Sequence, residues 1–349
     1  MRDAAFLTKS GLSDWLVRLA RQTRLMAPTK RGRQSFAFAW VDDPREVAID
    51  YVRTILPPKQ AFLPAREKLL DFRLRPVQES TPAIEDEPFV LFGIHPCDLA
   101  AIGQLDWAMT TRHSVPDPHY IARRKAGAII GVECQPDEYC FCTSVGTSGT
   151  REGADLFLTP ANGGYLTEVL TPRGEELLQA APSVRQASPE ERAVGQGWAA
   201  EKQKRATCRL VGEMAEWPDR LEARYESEVW DRTADRCYSC GTCTSVCPTC
   251  FCFDVWDEVN IGLTAGARQR RYDSCQLQDF ALVAGPHNFR EERTDRVRHR
   301  WLRKFVYLMR EYGKPFCVGC GRCTTACTAD ISLTDVLNAV LAETEEVAS

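Results

Sequence analysis

The sequence predicts an α/β amino-terminal domain with a small sheet, a helical linker, and a cysteine-rich carboxy-terminal domain. Three observations predict it. Two short apolar runs, "PFVLFGI" and "AGAIIGV", each lead into a turn, as buried strands of an α/β layer do. Residues 182–235 are charged and Ala-rich, as in "SPEERAVGQGWAAEKQKRATC". Beyond 236, one cysteine spacing occurs twice. The expected domains are therefore 1–181, 182–235 and 236–349, the last with a long insertion between its motifs.

Taken in order, an amphipathic helix opens the chain, and "QSFAFAWV" alternates as a short strand. "DDPREVAIDYVRTILPP" reads as a helix with Asp42 or Asp43 as its cap and proline as its stop. "PFVLFGIHPCDLAAIGQLDWAM" is a strand, a turn and a helix, with Asp98 placed to cap the helix from Leu99. A second strand and turn lie in "AGAIIGVECQPDEYCFCTS". "DLFLTPANGGYLTEVL" reads as a hairpin turning at Asn162-Gly163-Gly164. In the linker, Trp198, Trp217 and Trp230 indicate packing against a core. Cys208 falls in an expected helix there.

Composition narrows the function. The 349 residues are 44% hydrophobic, with 44 Lys and Arg against 48 Asp and Glu for a net charge of −4. Nothing in that balance suits a polyanion, so nucleic acid is not an expected partner. No segment approaches the roughly 18 consecutive apolar residues of a membrane span. The first residues lack a signal-peptide core, and a cytoplasmic protein is expected. There, sixteen cysteines suit metal binding or redox chemistry better than disulfides.

The spacing C-x2-C-x2-C-x3-C occurs at Cys237, Cys240, Cys243 and Cys247, and again at Cys317, Cys320, Cys323 and Cys327. Thiolates at intervals of three let one loop curl around a 4Fe-4S cube and meet three of its irons. In two-cluster ferredoxins the fourth cysteine of each run serves the other cluster. One cube is thus assigned to Cys237, Cys240, Cys243 and Cys327, the other to Cys317, Cys320, Cys323 and Cys247, in a two-cluster ferredoxin-like domain. Gly241, Gly319 and Gly321 suit the left-handed turns such loops need. Zinc is the rival, but it takes its thiolates in two pairs, without an evenly spaced third. Thr328 stands where proline commonly follows the last cysteine.

Cys97 and Cys134 each follow an expected strand. If the strands are parallel neighbours, both thiols emerge at one edge of the sheet. With Cys140 and Cys142 they make a possible third 4Fe-4S site, unless Cys97 and Cys134 are simply buried apolar residues. Cys250, Cys252 and Cys275 lack a confident fourth ligand, and packing or support roles are expected. There is no Rossmann or Walker A loop, and "SVGTSGTREG" does not match one. No flavin or nicotinamide is expected on this chain alone. The five histidines form no catalytic constellation; His95 near Cys97 is expected to be structural. In "REERTDRVRHRWLRKF", Val297, Trp301, Phe305 and Leu308 share one helical face. The arginines either form a solvated face, or offset the charge of reduced clusters or dock an acidic partner.

"HPCDLAAIGQLD", "DPHYIARRKAGAIIGVEC", "CFCTSVGTSG", "CYSCGTCTSVCPTCFCFDV" and "YDSCQLQDFALVAGPHNFR" together resemble one family of iron–sulfur subunits. It includes the beta subunit of cytoplasmic NAD(P)-linked nickel–iron hydrogenases (sulfhydrogenases) and the A subunit of anaerobic sulfite reductase. The resemblance implies an electron-transfer subunit of an oxidoreductase complex, with no catalytic centre of its own. Its partners would be a flavin-bearing, NAD(P)H-reacting subunit and a catalytic metal subunit, nickel–iron hydrogenase or sirohaem sulfite reductase. A free-standing flavin and iron–sulfur oxidoreductase is the other alternative.

Overall fold

The computed structural model describes residues 5–285 and 287–343. The chain forms two compact units, each discontinuous in sequence. The first comprises the chain up to Gln135, Ser148–Arg205 and Asp254–Arg271; the second comprises Pro136–Thr147, Ala206–Phe253 and the chain from Tyr272 onward. The units do not follow the sequence boundaries at 181 and 235. Residues 182–235 are shared between them, and part of the insertion between the cysteine motifs belongs to the first.

The first unit is a mixed α/β structure. Its strands are β1 (Ala5–Thr8), β2 (Arg24–Arg31), β3 (Ser35–Trp40), β4 (Arg66–Arg73), β5 (Glu79–Pro82), β6 (Phe89–Ile94), β7 (Gly127–Val132), β8 (Leu156–Ala161), β9 (Gly164–Val169), β10 (Arg185–Gln186), β11 (Phe253–Val259) and β12 (Ala265–Tyr272). Its helices are α1 (Lys9–Gln22), α2 (Pro96–Asp106), α3 (Pro118–Ala126), α4 (Pro172–Gln179) and α5 (Pro189–Arg205). The main sheet is not small. Eight strands run in the order β10-β1-β9-β8-β7-β6-β2-β3, and a second sheet runs β11-β12-β4-β5.

Central strands β6 and β7 are parallel, with Phe89 opposite Gly127, and every residue of both is buried. That burial explains their unbroken apolar runs. Strands β8 and β9 form the expected hairpin, Ala161 opposite Gly164. Leu12, Trp15, Leu16 and Leu19 of α1 pack into the core with Leu25, Phe92, Ile130 and Leu156 of the sheet.

Two local expectations fail for visible reasons. Before Pro58, only Pro44–Glu46 is helical in "DDPREVAIDYVRTILPP", a single turn capped by Asp43. Val47 and Ala48 run beside β2 instead, where Val47 bridges Thr29 and Ala48 N–H donates to Pro28 O at 2.7 Å, and Ile55 N–H reaches Phe36 O of β3 at 2.8 Å. Its β-branched residues favour that state. Helix α2 starts at Pro96, with His95 rather than Asp98 in the cap position. Proline is pre-set for a first helical position. His95 is buried and stacks on Tyr51 at 4.0 Å.

In the second unit, α6 (Trp217–Ala223) and α7 (Glu228–Arg236) precede the first cysteine motif, which contains the one-turn α8 (Thr242–Ser245). A long helical stretch follows as α9 (Arg293–Leu302), a wide turn at Arg303–Tyr307, and α10 (Leu308–Tyr312). The second motif holds α11 (Arg322–Thr325), and α12 (Leu333–Ala342) closes the unit. Trp217, Trp230, Val297, Trp301, Phe305 and Leu337 share its core. Trp198 instead anchors α5 in the first unit, its Nε1–H donating to Pro160 O at 2.8 Å. Cys208 lies in an irregular segment, not a helix, bonded to Thr334 Oγ1 at 3.4 Å.

Candidate metal centre

The two cysteine loops repeat one backbone plan within the second unit. Helix α7 delivers Cys237, whose N–H bonds the last-turn carbonyls of Thr233 and Ala234. Gly241 (φ 75°) turns the chain so that its carbonyl accepts from Thr244 and Ser245 N–H at 3.0 and 3.1 Å. Gly321 (φ 74°) does the same in the second copy, accepting from Thr324 and Thr325 at 3.1 Å each. Cys247 N–H then reaches Thr244 O at 3.2 Å, and Cys327 N–H reaches Thr324 O at 3.2 Å. Ser239 (φ 52°) and Gly319 (φ 64°) take corresponding left-handed positions. Ser239 N–H points at Cys237 Sγ, 3.4 Å away.

These loops line two cavities. Cys237, Cys240, Cys243 and Cys327 line one, together with Cys323 and Arg300. Cys247, Cys317, Cys320 and Cys323 line the other, together with Arg300 and Lys304. The final cysteine of each run thus faces the cavity of the other run. Cys323 and Arg300 belong to both walls. Among the described residues, no three His, Cys, Asp or Glu side chains converge on a single-ion position.

The thiols differ in environment. Cys240 is exposed, and the Thr242 hydroxyl bonded to it at 3.3 Å favours its thiolate. Burial pushes Cys243 up, against the pull of Arg300. Burial likewise pushes Cys317 up to about 11, with Lys304 opposing. Both cations are buried. Burial alone would lower their pKa values, but the surrounding cysteines outweigh it and keep Arg300 and Lys304 charged. Arg300 donates to Cys243 O at 3.2 Å.

The sequence alone leaves Arg300 and Lys304 among basic residues of undecided role. The available signal was the spacing 296, 300, 304, which is one helical row next to Val297, Trp301 and Phe305. Arg296, Arg300 and Lys304 are all buried, so this row is no solvated face.

The remaining cysteines are distributed more widely. Cys97 and Cys134 follow β6 and β7 at one end of the first unit's sheet, as their parallel pairing requires. Cys134 N–H donates to Glu133 Oε1 at 3.0 Å, and Glu133 is ion-paired with buried Lys202. Cys140 and Cys142 are buried in the second unit. The four residues expected to hold a third cluster are therefore divided between the units. Cys250 is buried and hydrogen-bonded to Cys247, which with burial pushes its thiol well up. Cys252 and Cys275 are hydrogen-bonded to each other, and this bond draws Cys275 down to about 5.

The 4Fe-4S dicluster domain family matches residues 236–331. Sulfhydrogenase 2 subunit beta of Pyrococcus furiosus is 39% identical over 323 residues, covering 93% of this chain and 94% of its own length. No solved structure is matched by this chain. Among the described residues no helix is long and apolar enough to cross a membrane. With that identity spread over nearly the whole of both chains, and a dicluster domain enclosing both cysteine runs, the chain belongs to the sulfhydrogenase beta-subunit family.

Proposed function

We propose that the chain relays electrons between a flavin-bearing, NAD(P)H-reacting subunit and a nickel–iron catalytic subunit of a cytoplasmic hydrogenase complex. Cys237, Cys240, Cys243 and Cys327 hold one 4Fe-4S cluster; Cys317, Cys320, Cys323 and Cys247 hold the other. Each cluster supplies one-electron redox chemistry, by which the electron pair of a nicotinamide is divided into single steps. The observation that carries the reading is the pair of thiol-lined cavities, each completed by the last cysteine of the opposite run.

The donor set fits such a group. The four assigned thiols line each cavity, with Cys323 in both walls, a backbone N–H points at Cys237 Sγ, and Arg300 and Lys304 supply buried positive charge. Buried thiolates need those partners, since an uncompensated charge in the interior is costly. The exposed Cys240 leaves the first site nearest to solvent, while Cys247 and Cys317 shield the second. The hydrogenase reading is preferred to sulfite reductase because of the match to a sulfhydrogenase subunit.

The test is anaerobic reconstitution of the isolated chain, with metal and sulfide analysis and activity assays. About eight irons per chain, redox-active but without hydrogen uptake or NAD(P)H oxidation until the partner subunits are added, is the expected result. About twelve irons would mark the further cluster that Cys97, Cys134, Cys140 and Cys142 predict in sequence. Zinc in place of iron, or full activity from the chain alone, would refute the relay.

A further inference from the structure

The two cysteine runs are nearly symmetrical, but their surroundings are not. Arg300 lines both cavities, so its charge does not distinguish them. Lys304 lines only the second, and it is 2% exposed. Its ammonium group makes three contacts: Cys247 Sγ at 3.3 Å, Thr249 Oγ1 at 2.9 Å and Phe316 O at 3.1 Å. Thr249 also donates to Phe316 O at 3.0 Å, so the acceptors are held in place around the lysine. Lys304 lies in the wide turn at Arg303–Tyr307, a local widening often found at functional positions.

Adding an electron to an iron–sulfur site adds one negative charge. A fixed cation touching one of its ligands favours that reduced form, and a water-poor wall screens the attraction little. The cation is spent on the second site alone.

We propose that Lys304 is a tuning residue that selectively raises the reduction potential of the site formed by Cys317, Cys320, Cys323 and Cys247. Electrons arriving at the first site thereby gain a sink in the second. The inference rests on the ligand assignment proposed above. Lys304 acts through Cys247 and through its charge, and it is a positioning residue rather than a ligand.

The experiment is an EPR-monitored redox titration of the reconstituted full chain, comparing wild type with Lys304→Met. Cys320→Ser assigns the signal of the second site. The expected result is a fall of at least tenfold in that site's one-electron equilibrium, about 59 mV for a one-electron couple. The first site should move by less than a third as much. Equal shifts at both sites, or none at either with iron content unchanged, would overturn the proposal. If Lys304→Met loses the second site's iron, Lys304→Gln is titrated instead, since it keeps a donor without the charge. Iron loss in both variants also overturns it, because the lysine would then serve assembly and not potential. A wild type with no pair of iron–sulfur signals would defeat the ligand assignment itself, a failure distinguishable from any behaviour of Lys304.

Discussion

Gly319 offers a quantitative test of the second cysteine loop. Its φ of 64° lies in the left-handed region, and a Cβ there would stand 2.4 Å from Cys142 N and 2.5 Å from Phe141 C. Both obstacles are backbone, and they cannot swing aside as the tip of a flexible side chain does. The approach is fastened by Phe141 N–H donating to Gly319 O at 2.8 Å. Gly146, in the same compact unit, isolates the conformational part: its φ is 69°, but nothing lies within 4 Å of its would-be Cβ. Gly146→Ala should therefore cost only the left-handed penalty, about 1–2 kcal/mol. Gly319→Ala should add an overpacking cost of about 1–3 kcal/mol, for roughly 2–5 kcal/mol in all. Thermal unfolding of the iron-loaded chain, followed by circular dichroism and cluster absorbance, separates them. At roughly 2–4 °C per kcal/mol, the second variant should melt several degrees below the first and release iron earlier. Equal melting temperatures would refute the claim that the loops are in steric contact.

Two further outcomes follow from buried charge. Glu67, with its side chain 2% exposed, pairs with Arg123 and Arg270 at 2.6 Å each. Glu67→Gln should cost about 3–5 kcal/mol in denaturant unfolding, because two buried guanidinium groups lose their shared partner; a loss below about 1 kcal/mol would show that Glu85 suffices for Arg123 and Asp117 for Arg270. His299 is held down to about 4 by burial, with Arg290 and Arg303 adding to the effect. It is neutral in the fold, whereas the unfolded chain takes up its proton near the usual value of about 6.5. Stability should therefore be intact above that value and decline by about 2–3 kcal/mol as pH falls from 6.5 towards 4. His299→Gln should flatten that slope, and an unchanged slope would exclude His299 as its source.

The parts legible in the sequence are those where local chemistry and tertiary environment agree. Phe89–Ile94 and Gly127–Val132 are apolar on both faces because they are central parallel strands, and their runs say so directly. The cysteine rhythm survives as geometry: the two runs line two cavities, with Cys327 in the wall of the first and Cys247 in the wall of the second. Val297, Trp301, Phe305 and Leu308 are buried as their spacing requires.

Where several readings satisfy a local pattern, the sequence decides less. "PREVAIDYVRTIL" carries helical spacing, yet Val47 bridges to β2, a contact that suits a β-branched residue and that no local pattern announces. The eight-stranded sheet exceeds the expected small one because Arg185–Gln186 is too short to leave a periodic trace and Arg24–Arg31, with its internal proline and charged ends, does not alternate. For Arg300 and Lys304 the sequence leaves a solvated face and a role beside the clusters equally open, although charged residues are mostly exposed. Only the thiols brought around them by distant segments make their burial tolerable. The units also divide the chain in ways no linear boundary expresses, with Pro136–Thr147 assigned apart from both of its flanking segments.

The exchange of final cysteines between the runs is the claim on which the rest depends. Anomalous diffraction at the iron edge from crystals of the reconstituted chain tests it most directly. The account predicts two compact iron clusters, with Cys327 bound to the one held by Cys237, Cys240 and Cys243, and Cys247 bound to the other. Density joining Cys247 to its own run, or single metal peaks without an iron signal, would contradict it.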